Sequence, residues 1–419
     1  MAGSGRDVRR PRERLRCRPT PDQELLLQAC LLKGDDAVRA FDLWRARTDI
    51  DRLDHGSYRL LPLLYANLHD LGSTDPLTEK LKGVYRRTWY TNQLLFHRVA
   101  ALIQALEEAG LETLLFKGGA LIPLHYKDLG LRPMGDFDVL VPTERATEAA
   151  RVLQRNGWRP RLLFETQRLS RDCAGFVSGG GQEVDLHWHL LEECCYEGAD
   201  QPFWDNAIPL SLNGIPTRAL GAADHLFYVC VHGSRWKDMP PVRWVPDALA
   251  ILGGCRFDAA ADPGHRAAVE PGHRAAAGRD APGRNAIDWN HILDLAVSRR
   301  LVLPVRETFT YLRDIFGAPI PSAVLETLGR ESVTRSDRAV HAILSRPQPH
   351  PGYFIVTWLF YARARRGMGA PRRVLGFPRH LRNLWSLEHY WQMPGYVIGK
   401  LAERARNLRA LTASGGRRD

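Results

Sequence analysis

Two acidic side chains, Asp136 and Asp138, alternate with apolar residues in the strand-like segment 136–141. Successive side chains of a strand point to opposite faces, so both carboxylates share one face while Phe137 and Val139 can enter a core. Two carboxylates held side by side repel each other unless a cation neutralises them. Mg²⁺ prefers oxygen ligands and is the usual cation of phosphoryl- and nucleotidyl-transfer sites. The pair therefore predicts a magnesium site.

A later strand-like segment, residues 183–190, supplies a third carboxylate. Asp185, His187 and His189 fall on one of its faces and apolar residues fall on the other. With Asp136 and Asp138, Asp185 would complete a cage for two Mg²⁺ ions. One ion would hold a nucleoside triphosphate (NTP), and the other would activate an attacking hydroxyl. We therefore predict these three aspartates as catalytic metal ligands, with His187 bordering the site.

A glycine pair precedes the acidic strand. Gly118 and Gly119 follow Lys117 where a short strand would turn into a helix. Backbone N–H groups can approach phosphate closely where no Cβ intrudes, and a helix N-terminus favours an anion. Lys117 and Arg132 would add positive charge to the triphosphate. Only seven of the 58 basic residues are lysine, which makes a lysine at this position less expected by chance.

The predicted strands and helices around these residues indicate an α+β fold, with a small mixed β-sheet flanked by helical segments on both sides. Strands are predicted at 114–116, 136–141, 158–164, 173–178 and 183–190. Helices are predicted at 85–109, 119–126 and 144–156, the last N-capped by Thr143, and again from 222 onward. Five regions follow: a disordered basic N-terminus (1–20), a helical unit (21–110), the core (111–215), a second helical unit (216–345) with a flexible insertion (253–286), and a basic helical tail (346–419).

The net charge of +11 is confined to the ends of the chain. Residues 1–20 carry +5 and residues 361–419 carry +10, so the body between them is mildly acidic at −4. This distribution disfavours a nucleic-acid surface across the whole protein, although the ends could still contact RNA, anionic lipid or an acidic partner.

The cysteines and the N-terminus predict a cytoplasmic protein. Seven cysteines without any CxxC spacing suggest neither a disulfide framework nor a zinc knuckle. The N-terminus has no apolar segment of the kind that a signal peptide needs. The longest apolar run, residues 353–361, is about half of a membrane span, so we predict no transmembrane segment.

The order of these motifs resembles the bacterial nucleotidyltransferase-like family with the polymerase-β type fold. The resemblance rests on Lys-Gly-Gly, then Arg-Pro-Met-x-Asp-x-Asp, then Val-Asp-Leu-His-Trp, and it extends over about residues 22–330. It implies Gly118 and Gly119 as the phosphate turn, Asp136 and Asp138 as the metal pair, and Asp185 as the third carboxylate. The sixteen residues between Gly119 and Asp136 are more than the small nucleotidyltransferases have, which leaves the donor pocket open to variation.

These observations predict Mg²⁺-dependent transfer of a nucleoside monophosphate from an NTP to a small-molecule, peptide or protein acceptor. Two alternatives remain: a non-catalytic binding or scaffold protein with the same fold, and an RNA-directed enzyme that uses its basic ends. A zinc or iron site built from His187, His189 and the Cys194–Cys195 pair is a weaker possibility. His232, Trp244 and Asp247, on later helices, could bind substrate or simply join two helices.

Overall fold

The computed structural model describes residues 17–236, 241–253, 287–347, 350 and 352–415. The predicted disordered N-terminus lies outside the described residues except for residues 17–20. The predicted flexible insertion lies outside them except for residue 253.

A single seven-stranded sheet forms the centre of the fold, with the strand order β3-β4-β5-β2-β1-β7-β6. The β2–β5 and β1–β7 pairs are parallel, and the other pairs are antiparallel. This mixed sheet and its surrounding helices confirm the predicted α+β fold class. The strands are β1 (Leu114–Leu115), β2 (Asp136–Leu140), β3 (Trp158–Pro160), β4 (Cys173–Ser178), β5 (Glu183–His187), β6 (Ile208–Leu212) and β7 (Ile215–Ala219).

The five predicted strands are all present, and four of them end earlier than the apolar pattern suggested. The sequence analysis did not predict β6 and β7, which form an antiparallel hairpin around Asn213 and Gly214. Pro209 lies in the edge strand β6, and Pro216 lies in the part of β7 that precedes its pairing with β1, so each proline removes fewer ladder hydrogen bonds. Because β7 pairs with β1, the sheet continues to Ala219.

The two faces of the sheet have different surroundings. Phe137 and Val139 of β2 and Leu186 of β5 pack into a core with the second half of the helix Leu77–Glu108 and with the helix Ala146–Arg155. Within that core the rings of Phe96 and Phe137 meet edge to face at 5.4 Å. The opposite face carries the acidic side chains of β2 and β5.

The helices before and after the sheet share one hydrophobic core. Leu26 and Trp44, near the start of the chain, belong to the same buried cluster as Phe227 and Phe309. The contributing helices are Pro21–Leu31, Gly34–Arg47, Leu61–Asp70, Leu77–Glu108, Ala222–Gly233, Trp244–Ile251, Trp289–Ser298, Val302–Phe316 and Ser322–Arg330. The short helix His55–Tyr58 lies between the second and third of these.

The basic end of the described chain is helical, and its first part packs on the rest. The helices are Arg335–Leu344, Tyr353–Ala364, Ala370–Leu384 and Met393–Gly415. The Tyr353 hydroxyl donates a hydrogen bond to Glu192 at 2.5 Å, and Arg171 donates to the Leu384 carbonyl at 2.8 Å. Among the described helices, none is both long enough and apolar enough to cross a bilayer.

Two predicted helix ends are confirmed and one predicted cap is wrong. Gly110 and Gly157 follow their helices with φ values of +67° and +82°, the left-handed backbone that glycine adopts without strain. Thr143, however, does not cap the helix Ala146–Arg155, because its hydroxyl donates to the Trp188 carbonyl at 2.7 Å. Thr143 therefore joins the start of this helix to the end of β5.

Candidate active site

The acidic residues come together because β2 and β5 are parallel neighbours in register. Asp138 is paired with Asp185, and Asp136 is paired with Glu183. Backbones of neighbouring strands lie about 4.8 Å apart, so side chains in register on one face are close. Ligand atoms of Asp138, Asp185 and His187 all lie within 4.8 Å of one another.

Asp138 is the most buried of the three predicted metal ligands, with 2% of its surface exposed. Its Oδ1 accepts a hydrogen bond from the Lys117 ammonium at 2.6 Å and lies 3.1 Å from His187 Nε2. Burial alone would raise the pKa of Asp138, but the charge of Lys117 and the hydrogen bond to His187 outweigh burial and hold the pKa well below its ordinary value. Asp138 is therefore ionised, and both contacts use only one of its two oxygens.

Asp185 and Asp136 flank this buried carboxylate. Burial, and then the neighbouring charge of Asp138, raise the pKa of Asp185, as expected for two adjacent carboxylates without a cation. Asp136 is half-buried at the start of β2 and lies outside the 4.8 Å group. Gly175, opposite Asp185 on β4, leaves room beside it, because a Cβ there would lie 3.2 Å from Asp185 Oδ1.

The glycine turn joins β1 to the short helix Gly118–Leu121. Lys117 adopts φ +48° and ψ −136°, a backbone conformation that L side chains rarely adopt, and its carbonyl accepts from Leu121 N–H at 2.7 Å. A Cβ on Gly118 would meet the end of the Arg132 side chain, and one on Gly119 would lie 2.5 Å from Phe137 Cζ. Packing against a buried aromatic ring therefore favours glycine at position 119, in addition to any role in binding phosphate.

Arg132 is buried next to the glycine turn and is held there by hydrogen bonds. It is 4% exposed, and its Nε and Nη2 donate to the two oxygens of Asp247 at 2.7 and 2.8 Å. The Tyr126 hydroxyl donates to the same carboxylate at 2.7 Å. Asn92 also binds the carbonyls of Leu129 and Arg132, so the segment before β2 is held on both sides. Arg132 reaches the turn with Nη1 alone.

Two further arginines lie near this turn, and sequence reasoning did not identify them. Arg243 donates to the Pro133 carbonyl at 2.8 Å. Burial, and then the charge of Arg132, lower the pKa of Arg243 to about 10, against the opposing effect of Asp247. Burial also lowers the pKa of Arg59, while the charge of Asp136 acts in the opposite direction. Arg59, Arg132 and Arg243 thus form a positively charged group beside Asp136. No local motif could have revealed it.

The remaining predicted residues have structural partners. His189 Nδ1 lies 2.7 Å from Asp200 Oδ2, and both groups are buried. Among the described residues, the groups able to hold a metal include His187 but not His189, Cys194 or Cys195. His232 stacks on Tyr228 with ring centroids 5.8 Å apart. Together with the Arg132–Asp247 pair, these contacts favour structural roles for the histidine and aspartate on the later helices.

Comparison with known protein families gives a match over the part of the chain that contains this site. Residues 57–254 match the model of a family described as an uncharacterised nucleotidyltransferase. These residues form a nucleotidyltransferase-like segment. The family resemblance predicted from the motifs is confirmed over residues 57–254, and this segment contains the glycine turn, the three aspartates and the three arginines.

Part of the chain is also similar to a solved structure. It is an antigenic nucleotidyltransferase-like protein from Paracoccidioides brasiliensis, 15% identical, with a TM-score of 0.35. The alignment covers 55% of this chain and 96% of that chain. No curated protein matches the chain.

The donor set fits a hard divalent cation. Two carboxylates on adjacent strands face each other, and the hydrogen bonds to Asp138 leave its Oδ2 for a metal. The sequence predicts that Asp136 and Asp138 would hold both Mg²⁺ ions and that Asp185 would hold one of them. The structure brings Asp138 and Asp185 together and leaves Asp136 outside the 4.8 Å group.

Proposed function

We propose that this protein transfers a nucleoside monophosphate from an NTP to an acceptor hydroxyl or phosphate in an Mg²⁺-dependent reaction. The observation that carries the proposal is the in-register pairing of Asp138 and Asp185 on parallel strands, directly beside the Lys117–Gly119 turn. The nucleotidyltransferase-like segment supports the same reaction class.

The positive charge of Arg59, Arg132 and Arg243 supports binding of the triphosphate on their side of the site. The N–H groups at the start of a helix have no partner within that helix, so those of Gly118 and Gly119 can face phosphate oxygens. Arg59 and Arg243 would contact the β- and γ-phosphates, while Arg132 contributes charge from beneath the turn. Lys117 would contribute a further positive charge from the end of β1.

In the reaction, an acceptor oxygen attacks the α-phosphorus and the bond to the β-phosphate breaks, so that pyrophosphate leaves. Bound Mg²⁺ would stabilise the charge that develops on the phosphate oxygens and lower the pKa of the attacking hydroxyl. Asp136, Asp138 and Asp185 hold and orient the reacting groups, and Asp185 is placed to receive the proton of the acceptor. His187 positions Asp138 through the contact between its Nε2 and Oδ1.

Calorimetric titration of Mg·ATP and Mg·GTP tests donor binding. We expect wild type to bind at least one of them, and Asp138→Asn and Asp185→Asn to bind it at least ~10-fold more weakly, since even outer ligands of a metal contribute 10- to 100-fold. Asp205→Asn, which alters an exposed carboxylate elsewhere, is the matched control. Equal binding by all proteins, or binding of no NTP by wild type, would contradict the proposal.

A second assay addresses turnover and the acceptor. Pyrophosphate release is measured across small hydroxylated compounds, peptides, proteins and RNA. Release that requires both an acceptor and Asp138 would establish the enzyme. NTP binding without release for any acceptor would instead favour the non-catalytic binding or scaffold protein.

A further inference from the structure

A second group of metal-binding side chains lies next to the acidic cluster, on the opposite side of His187. β4 runs antiparallel to β5 with Cys173 directly opposite His187, so the two side chains project from the same face of the sheet. Opposed Cβ atoms in such a pair are about 4.5–5.5 Å apart. The thiol and the imidazole are therefore neighbours because of the strand register.

Asp172 joins this pair from the residue before β4. Its carbonyl accepts hydrogen bonds from the N–H groups of Trp188 and His189 at 3.0 and 3.2 Å, which holds Asp172 at the end of β5. Ligand atoms of Asp172, Cys173 and His187 all lie within 4.8 Å of one another. Three donors at this separation can surround one ion without moving the strands.

His187 also has an unused ring nitrogen. Its Nε2 faces Asp138, whereas its Nδ1 is buried and makes no hydrogen bond with any described residue. His187 itself is only 4% exposed. A buried polar atom without a partner is costly, and metal coordination is one way to satisfy it.

The donor types separate this group from the magnesium site. A thiolate sulfur, an imidazole nitrogen and one carboxylate oxygen form a set that zinc accepts and that Mg²⁺, with its demand for oxygen ligands, does not. We propose that Asp172, Cys173 and His187 bind a zinc-class divalent cation with water in the fourth position. On binding, the Cys173 S–H bond breaks, a metal–sulfur bond forms, and the proton passes to solvent.

Binding of a zinc-class ion at this site does not require the proposed transfer reaction, although the two sites share His187. A zinc ion there would place positive charge near Asp138 and Asp185, so we expect Mg²⁺ to bind less tightly when it is occupied. The zinc-class ion would then weaken Mg²⁺ binding at the acidic site, and it would act from the side opposite Lys117.

The test uses Co²⁺ as a spectroscopic probe with the full chain, in the absence of Mg²⁺ and NTP. A cobalt–thiolate bond produces a near-ultraviolet charge-transfer band that oxygen and nitrogen ligands do not produce. We expect this band in wild type and its loss in Cys173→Ser. In His187→Gln the apparent affinity should fall at least ~10-fold, by comparison with the effect of weaker outer contacts.

Two controls isolate the site. Cys195→Ser alters a nearby thiol outside the group and should keep the band. Asp136→Asn, which weakens the proposed magnesium site, should also keep it, so that failure of the transfer proposal and failure of this one are distinguishable. Absence of the band in wild type, or its persistence in Cys173→Ser, would overturn the zinc-class site.

Discussion

Replacing Asp247 with alanine should destabilise the protein strongly, although Asp247 lies outside the predicted metal ligands. The carboxylate accepts two hydrogen bonds from Arg132 and one from Tyr126, and both ionic partners are about 4% exposed. Removing one member of a buried ion pair leaves an uncompensated charge and costs about 3–5 kcal/mol. The Tyr126 hydroxyl, left without this acceptor, adds ~1 kcal/mol or more.

The expected loss for Asp247→Ala is therefore at least about 4 kcal/mol, against a typical total stability of ~5–15 kcal/mol. The measurement is urea unfolding followed by tryptophan fluorescence, compared at the transition midpoint. Tyr126→Phe is the control for the hydroxyl alone and should cost ~1–3 kcal/mol.

A double variant distinguishes the effect of removing the whole Arg132–Asp247 ion pair from the effect of removing only one of its charges. Arg132→Met/Asp247→Leu removes both charges and retains apolar volume, so it should be more stable than Asp247→Ala alone. Two results would contradict the pairing of Arg132 with Asp247. One is unfolding of Asp247→Ala at the wild-type urea concentration, and the other is a double variant that is less stable than Asp247→Ala. Arg132 would then be free to bind phosphate directly.

Three further outcomes are expected. Gly119→Ala should lower the free energy of unfolding by ~1–3 kcal/mol, because the new Cβ meets the Phe137 ring at 2.5 Å; unchanged urea unfolding would contradict this. Burial lowers the pKa of His125 from 6.5 to about 4, against the charge of Asp247. The unfolded chain therefore binds this proton more readily than the folded protein. The free energy of unfolding should fall by ~2–3 kcal/mol between pH 6.5 and pH 4, and His125→Gln should flatten that part of the profile; an identical profile would argue against it. Deleting residues 393–419 should leave RNA retention on a filter unchanged, because none of the residues proposed to bind the donor lies in that segment; lost retention with a shallower salt dependence would favour the RNA-directed alternative.

The acidic strands were predictable because their signal is local. Alternation of Asp136 and Asp138 with apolar residues requires only the two-residue period of a strand, and the same period places Asp185 and His187 on one face of β5. The hairpin of β6 and β7 was not predicted. Its prolines and short apolar runs resemble a loop, and it becomes part of the sheet only by pairing with β1.

The roles of the charged residues around the turn depended on partners distant in sequence. Arg132 was predicted to bind triphosphate, and its Nε and Nη2 are held by Asp247, 115 residues later. Lys117 was predicted for the same task and is paired with Asp138. Arg59 reaches the vicinity of Asp136 from the turn between the helices His55–Tyr58 and Leu61–Asp70. Binding of Mg²⁺ and NTP by the predicted ligands stays a prediction.

The sequence by itself determined which residues can do chemistry and which face of its own strand each one occupies, because side-chain direction follows from backbone geometry within a few residues. Only the tertiary structure decided which faces meet. The parallel register of β2 and β5 opposes Asp138 to Asp185, and the antiparallel register of β4 and β5 brings Cys173 to His187. Strand order and register are set by burial of the apolar faces across the whole sheet, and a shift of one residue would send these side chains to the other face.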